Sequence, residues 1–163
     1  MADAASALTA AVITVSDSSH SGRREDLSGP AVAGLLRERK YNVISTAIVA
    51  DERGAIAEAI VTACESARLV VTTGGTGLGP RDVTPEATRD VCDLVVDGIA
   101  ERMRIEGSRK TPFAILSRGI CGVRGASLVL NLPGSPTAAT ESLHAVVDVL
   151  PHALNLLRGK TEH

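Results

Sequence analysis

The run Leu69-Val70-Val71-Thr72-Thr73 passes directly into Gly74-Gly75-Thr76-Gly77, and Thr84-Pro85-Glu86 follows shortly after. A short, β-branched apolar run bounded by glycine reads as a buried strand. Thr84, Pro85 and Glu86 read as an N-cap, an N1 proline and an acidic N2 residue, which is how a helix begins. A strand that leaves through a glycine loop into a helix is the repeating unit of α/β folds, and it restricts what the rest of the chain can be.

The same alternation continues on both sides. Residues 8–15 and 42–49 are strand candidates, and a helix opening at Ser28 would place Val32, Leu35 and Leu36 on one face. Asp51 is a plausible N-cap for a helix carrying Ile56, Ala59, Ile60 and Ala63 at helical spacing. A second helical pattern runs through Val91, Leu94, Val95, Ile99 and Met103, with a break expected at Asp97-Gly98. Residues 112–117 and 126–131 are further strand candidates, joined by a hairpin-like connector from Arg118 to Gly125. Ser135-Pro136 opens a last helix with Leu143, Val146, Val147, Leu150, Leu154 and Leu157 on its apolar face, and Pro151 can kink it. The expected fold is a three-layer α/β/α sandwich with a mostly parallel sheet, formed by residues 1–163 as a single domain.

Composition narrows the function. Tyr41 and Phe113 are the only aromatic residues, so the core is expected to be aliphatic. Few rings and a net charge of −2 argue against nucleic acid, which needs stacking platforms and a basic footprint. Cys64, Cys92 and Cys121 have neither zinc-ligand nor CxxC spacing and read as small apolar fillers, in a number that fits a reducing compartment. No apolar run approaches the ~20 residues of a membrane span, and Met1 to Ser6 lack the basic residues of a secretory signal, so no membrane association and a cytoplasmic location are expected.

The segment from Thr72 to Pro85 carries the chemistry. Its glycines let backbone N–H groups converge into an anion nest, with Thr73 and Thr76 as hydroxyl donors and a helix N-terminus adding positive potential. The competing reading is a tight strand-to-helix turn. The loop lacks the lysine of a P-loop and the spacing of a dinucleotide fingerprint. Arg81-Asp82 beside it can neutralise a phosphate and hold a divalent cation. Asp82 reads equally as a turn residue, Asp51 as a helix cap, and Ser135 as a cap or a phosphate contact. If Asp51 and Asp82 both face the nest, they form a metal site for phosphoryl or nucleotidyl transfer.

Taken together these stretches resemble the molybdenum cofactor biosynthesis family, which contains the bacterial molybdopterin adenylyltransferases, the MoaB proteins and the gephyrin G domain. The resemblance rests on Val12-Ile13-Thr14-Val15-Ser16-Asp17, Asp26-Leu27-Ser28-Gly29-Pro30, TTGGTGLGPRDVTPEAT at 72–88, Leu116-Ser117-Arg118-Gly119 and LNLPGSP at 130–136. It implies a single molybdopterin-binding domain, commonly a trimer, that transfers AMP from Mg-ATP to the terminal phosphate of molybdopterin and releases pyrophosphate. It places the family's two functional aspartates, which are also the magnesium ligands, on Asp51 and Asp82. It puts the molybdopterin phosphate on Thr73, Gly74, Gly75, Thr76, Gly77, Ser117 and Ser135, and the nucleotide on Ser16, Asp17, Asp26, Asn131, Pro133 and Gly134. A molybdenum-insertion protein is the implied partner. A MoaB-like protein that binds molybdopterin without efficient transfer is the alternative.

Overall fold

The computed structural model describes residues 8–159. Six strands form one sheet: β1 (Thr9–Val15), β2 (Asn42–Val49), β3 (Leu69–Thr73), β4 (Leu94–Val95), β5 (Cys121–Arg124) and β6 (Ser127–Leu132), in the order β2-β1-β3-β6-β5-β4. The β1–β2, β1–β3 and β3–β6 pairs are parallel, and β5 runs antiparallel to both its neighbours. Thr14 lies opposite Thr73, and Thr73 opposite Leu132, so β1, β3 and β6 end level with one another.

The side-chain alternation of the strands divides the core into two layers. Val12, Val71, Leu128 and Leu130 pack on one face against α2 (Ser28–Glu38), α5 (Asp97–Ser108), α6 (Pro136–Val146) and α7 (Leu150–Leu157). Ala11, Ile13, Val70 and Val129 pack on the other against Ile56 and Ile60 of α3 (Arg53–Cys64) and Ala87 of α4 (Thr84–Val91). A four-residue helix, α1 (Asp17–His20), follows β1. This is the three-layer α/β/α arrangement with a mostly parallel sheet, and its core is aliphatic apart from Tyr41.

Several local expectations are corrected. Leu94 and Val95, assigned to a helical face, form β4, because α4 stops at Val91 and the edge of β5 accepts the chain through Asp93 N–H to Val123 O at 2.7 Å and Val96 N–H to Cys121 O at 2.8 Å. Residues 112–117, read as a strand, fold instead as a 3₁₀ turn over Pro112–Leu116. Pro112 starts it, the Thr111 hydroxyl accepts from Phe113 N–H, and Phe113 and Ile115 are left exposed. The connector 118–125 holds β5, and the hairpin turns at Gly125, whose φ of +57° suits glycine, into Ala126. The last helix is two helices, with Pro151 in the first turn of the second.

Asn131, expected against the nucleotide, is a residue of β6 and is 1% exposed. Its Nδ2 donates to the hydroxyls of Thr72 (3.0 Å) and Thr88 (2.9 Å), and its Oδ1 accepts from Ile120 N–H at 3.2 Å. It therefore joins β3, β6 and α4 through a buried polar knot. Asn131→Leu is expected to lower unfolding free energy by about 2–4 kcal/mol, because Thr72, Thr88 and the Ile120 N–H each lose a hydrogen bond in the interior. Urea unfolding measures this, and a loss below about 1 kcal/mol would contradict the structural role.

Candidate functional site

The connection from β1 moves outward to β2, while β3 lies on the other side of β1, so the chain reverses direction between β1 and β3. Open α/β sheets bind ligands at such a reversal, beyond the carboxyl ends of the strands. A cleft of about 360 Å³ opens there, walled by Ser16, Asp26, Asp51, Gly75, Asp82 and Ser135 among others. Thr73, Gly74 and Gly134 also line it. Nine of the residues expected from sequence thus converge on one cleft. Ser19, Arg24 and Glu25 join them; the polar stretch 16–26 was their only signal.

The glycine loop is held from beneath. Gly74 and Gly75 have φ of +100° and +69°, and a side chain on Gly75 would strike Thr84 Oγ1. Thr84, expected as an N-cap, does not cap α4. It is fully buried, its hydroxyl donates to Gly74 O at 2.9 Å, and its N–H donates to Gly75 O at 3.1 Å. Thr73 donates its hydroxyl to Pro133 O at 2.8 Å, which couples the loop to the one after β6. Thr76 and Gly77 do not line the cleft. Their carbonyls accept from Arg118, whose main-chain N–H reaches Thr76 O and whose Nε reaches Gly77 O, both at 2.8 Å.

Asp51 is not a helix cap. Its Oδ2 accepts from Asp17 N–H at 2.8 Å, and Asp17 Oδ1 accepts from Asp51 N–H at 3.0 Å, so the two residues brace one another across β1 and β2. Arg81 does not face the nest either. It binds Asp17 through Nη2 (2.9 Å) and Nε (3.0 Å). The Arg81 hydrogen bond, reinforced by the Asp51 amide, lowers the Asp17 pKa. Asp51 is shifted upward, chiefly by burial and further by the negative charges of Asp17 and Asp82. Asp82 Oδ2 accepts from Gly79 N–H at 2.9 Å, which satisfies the turn reading. Among the described residues, neither Asp51 Oδ1 nor Asp82 Oδ1 accepts a hydrogen bond.

The remaining expected residues have other duties. Ser16 caps α1 by accepting from Ser19 N–H, and Ser135 caps α6 by accepting from Ala138 N–H at 3.1 Å. Asp26 accepts from Thr14 Oγ1 at 2.7 Å and from the α2 amide of Gly29 at 3.0 Å, so Asp26 rather than Ser28 satisfies that helix start. Ser117, Asn131 and Pro133 sit apart, in a second cavity of about 220 Å³ next to Met103, Phe113 and Ala114. The expected division between phosphate and nucleotide residues therefore does not follow the cleft walls.

A glycine loop with two residues at positive φ, two carboxylates with unpartnered oxygens and a cleft at the strand ends define an α/β protein of the small-molecule-binding class. The sequence matches the family described as probable molybdopterin binding domain over residues 11–152. It is 43% identical to a molybdopterin adenylyltransferase of Helicobacter pylori, over 91% of this chain and 86% of that protein. It is 35% identical to the molybdopterin adenylyltransferase of Escherichia coli K12, over 91% and 84%. The crystal structure of the molybdopterin biosynthesis enzyme MoaB from Thermus thermophilus superimposes with a TM-score of 0.88 at 48% identity, covering 94% of this chain and 98% of that one. The chain belongs to the molybdopterin-binding domain family of molybdenum cofactor biosynthesis.

The raised pKa of Asp51 has a consequence for stability. The folded state holds this proton more tightly than the unfolded chain, so the group's contribution to stability falls as pH rises from the ordinary aspartate range through the raised value. Asp51→Asn lacks that decline. The variant's stability relative to the natural protein is therefore expected to rise across this window and level off above it, as read from paired urea curves between pH 4 and 7. A pH-independent difference would show that Asp51 is not perturbed.

Proposed function

We propose that this chain is a molybdopterin adenylyltransferase, acting as a single domain. It joins AMP from Mg-ATP to the terminal phosphate of molybdopterin and releases pyrophosphate. The observation that carries the reading is the convergence of Gly75, Asp51 and Asp82 on one cleft in a chain of this family. An oxygen of the acceptor phosphate forms a bond to the α-phosphorus of ATP, and the bond from that phosphorus to the bridging oxygen of the β-phosphate breaks, so pyrophosphate leaves with the electron pair. The acceptor is already ionised near neutral pH and needs no general base.

The residues present suit magnesium. Asp51 and Asp82, each with an unpartnered oxygen, would hold it together with substrate phosphates, which is how this ion is usually bound in nucleotide sites. Among the described residues no group of three or more acidic, cysteine or histidine residues could hold a metal ion, so Asp51 and Asp82 would act together with substrate oxygens. Bound there, the ion would screen the charge that keeps two phosphate groups apart. The glycine-loop amides would hold one phosphate in place and lower the entropic cost of the encounter. Arg24, in the cleft wall, adds the positive charge that Arg81 gives to Asp17.

We place the protein in the cytoplasm, with a molybdenum-insertion protein as the recipient of its product. Among the described residues no helix is long and apolar enough to cross a membrane. We also assign it a homotrimer. The exposed Ile105, Phe113, Ile115 and Leu116 lie on α5 and the 3₁₀ turn packed beside it, the kind of apolar patch that marks an interface. Sedimentation at micromolar concentration should give three copies, and a monomer alone would remove that assignment.

Asp82→Asn separates transfer from binding. It should slow single-turnover formation of adenylylated molybdopterin about a hundredfold or more, while molybdopterin affinity by fluorescence quenching stays near that of the unaltered protein. Transfer at the full rate would reduce Asp82 to a turn residue. Pure protein that binds molybdopterin but releases no pyrophosphate from Mg-ATP would instead be a MoaB-like carrier.

A further inference from the structure

The peptide group is planar and trans, so its C=O and N–H point in opposite directions. Fixing a carbonyl therefore fixes the direction of the next residue's N–H. Four successive carbonyls of the glycine loop are fixed in this way. Thr84 Oγ1 holds Gly74 O, Thr84 N–H holds Gly75 O, Arg118 N–H holds Thr76 O, and Arg118 Nε holds Gly77 O. The N–H groups of Gly75, Thr76, Gly77 and Leu78 are consequently turned away from Thr84 and Arg118. In an extended strand, successive carbonyls alternate sides. Positive φ at Gly74 and Gly75 breaks that alternation and lets neighbouring carbonyls be gathered by residues on one side.

Arg118 does more than hold one carbonyl. Its Nη2 donates to Asp82 O at 2.8 Å, and its Nη1 pairs with Glu86 of α4. One guanidinium thus spans the loop, its exit at Asp82 and the helix that follows. A lysine has the charge but cannot serve three acceptors in a fixed plane. Thr84 is fully buried between loop and helix, where its hydroxyl cannot turn to water.

We propose that Thr84 and Arg118 are positioning residues for phosphate binding, which hold the carbonyls of Gly74 to Gly77 and so brace the loop with its Gly75 amide presented to a phosphate group in the cleft. The inference rests on the reading of the glycine loop as the phosphate site. It makes the loop's affinity depend on two side chains that never touch the ligand.

The test compares molybdopterin with its dephosphorylated form, by fluorescence quenching, on variants whose thermal midpoints are recorded alongside. Thr84→Val and Arg118→Ala should each weaken molybdopterin binding about tenfold and leave binding of the dephosphorylated form nearly unchanged. Thr84→Ser should restore affinity, Arg118→Lys should not, and free guanidinium should recover much of the loss in Arg118→Ala. Equal loss for both ligands would mean general damage to the fold and would overturn the proposal, as would full affinity in both variants. Guanidinium rescue reads Arg118 even if Thr84→Val fails to fold. Gly75→Val serves as the control on the underlying reading. If it binds both molybdopterin and Mg-ATP as tightly as the unaltered protein, the loop is no phosphate site and both ideas fall. If Gly75→Val weakens binding while the Thr84 and Arg118 variants do not, the site stands and only the positioning role is lost.

Discussion

The level pairing of β1, β3 and β6 is the constraint on which the rest depends. Because Thr14, Thr73 and Leu132 stand side by side, the three loops that follow begin at one height and must share one space. Gly74 N–H donates to Leu132 O at 3.0 Å, and a Cβ on Gly134 would lie 3.4 Å from Gly74 Cα, so the loops after β3 and β6 are in contact. A one-residue slip would turn every strand side chain to the opposite layer. The buried amide of Asn131 works against such a slip, since its partners Thr72 and Thr88 exist in only one register.

The acidic half of the cleft is built by a different device. Asp17 and Asp51 each offer a carboxylate to the other's main-chain N–H, and Arg81 binds the outer carboxylate. This fixes Asp51 without using its second oxygen. It also divides labour between two acids of the same type: Asp17 is paired with a cation, while Asp51 is partly desolvated near the negative charges of Asp17 and Asp82. Of the two acids, only Asp51 keeps a carboxylate oxygen without a hydrogen-bond partner among the described residues.

What the sequence disclosed follows from how local each signal is. The strand at 69–73 and its glycine loop were legible because glycine marks a backbone demand at its own position. The helix at 28–38 was legible from three apolar residues at helical spacing. The 3₁₀ turn over Pro112–Leu116 was not, since an apolar run reads as buried and this one is largely exposed. β4 was hidden because Leu94 and Val95 also fit the helical period that continues into α5. The partners of Asp17 and Arg118 lie 34 and 41 residues away, and no composition rule reaches across that distance. Arg81 was read by its neighbour Asp82, whereas the fold hands it to Asp17.

The strand order also sets the sequence in which the sheet can assemble. Only β5 and β6 are joined by a tight turn, at Gly125 and Ala126; every other pairing closes a long stretch of chain, with Thr9 to Arg68 and Leu69 to Leu128 as the extremes near the centre. Closing such loops costs entropy before any contact compensates for it, so the β5–β6 hairpin is the cheapest pairing to form and the β1–β3 and β3–β6 pairs are among the costliest. The cleft is made by those central strands. The site therefore rests on the pairings that cost the most entropy to close, and the carbonyl contacts that hold its glycine loop depend on them.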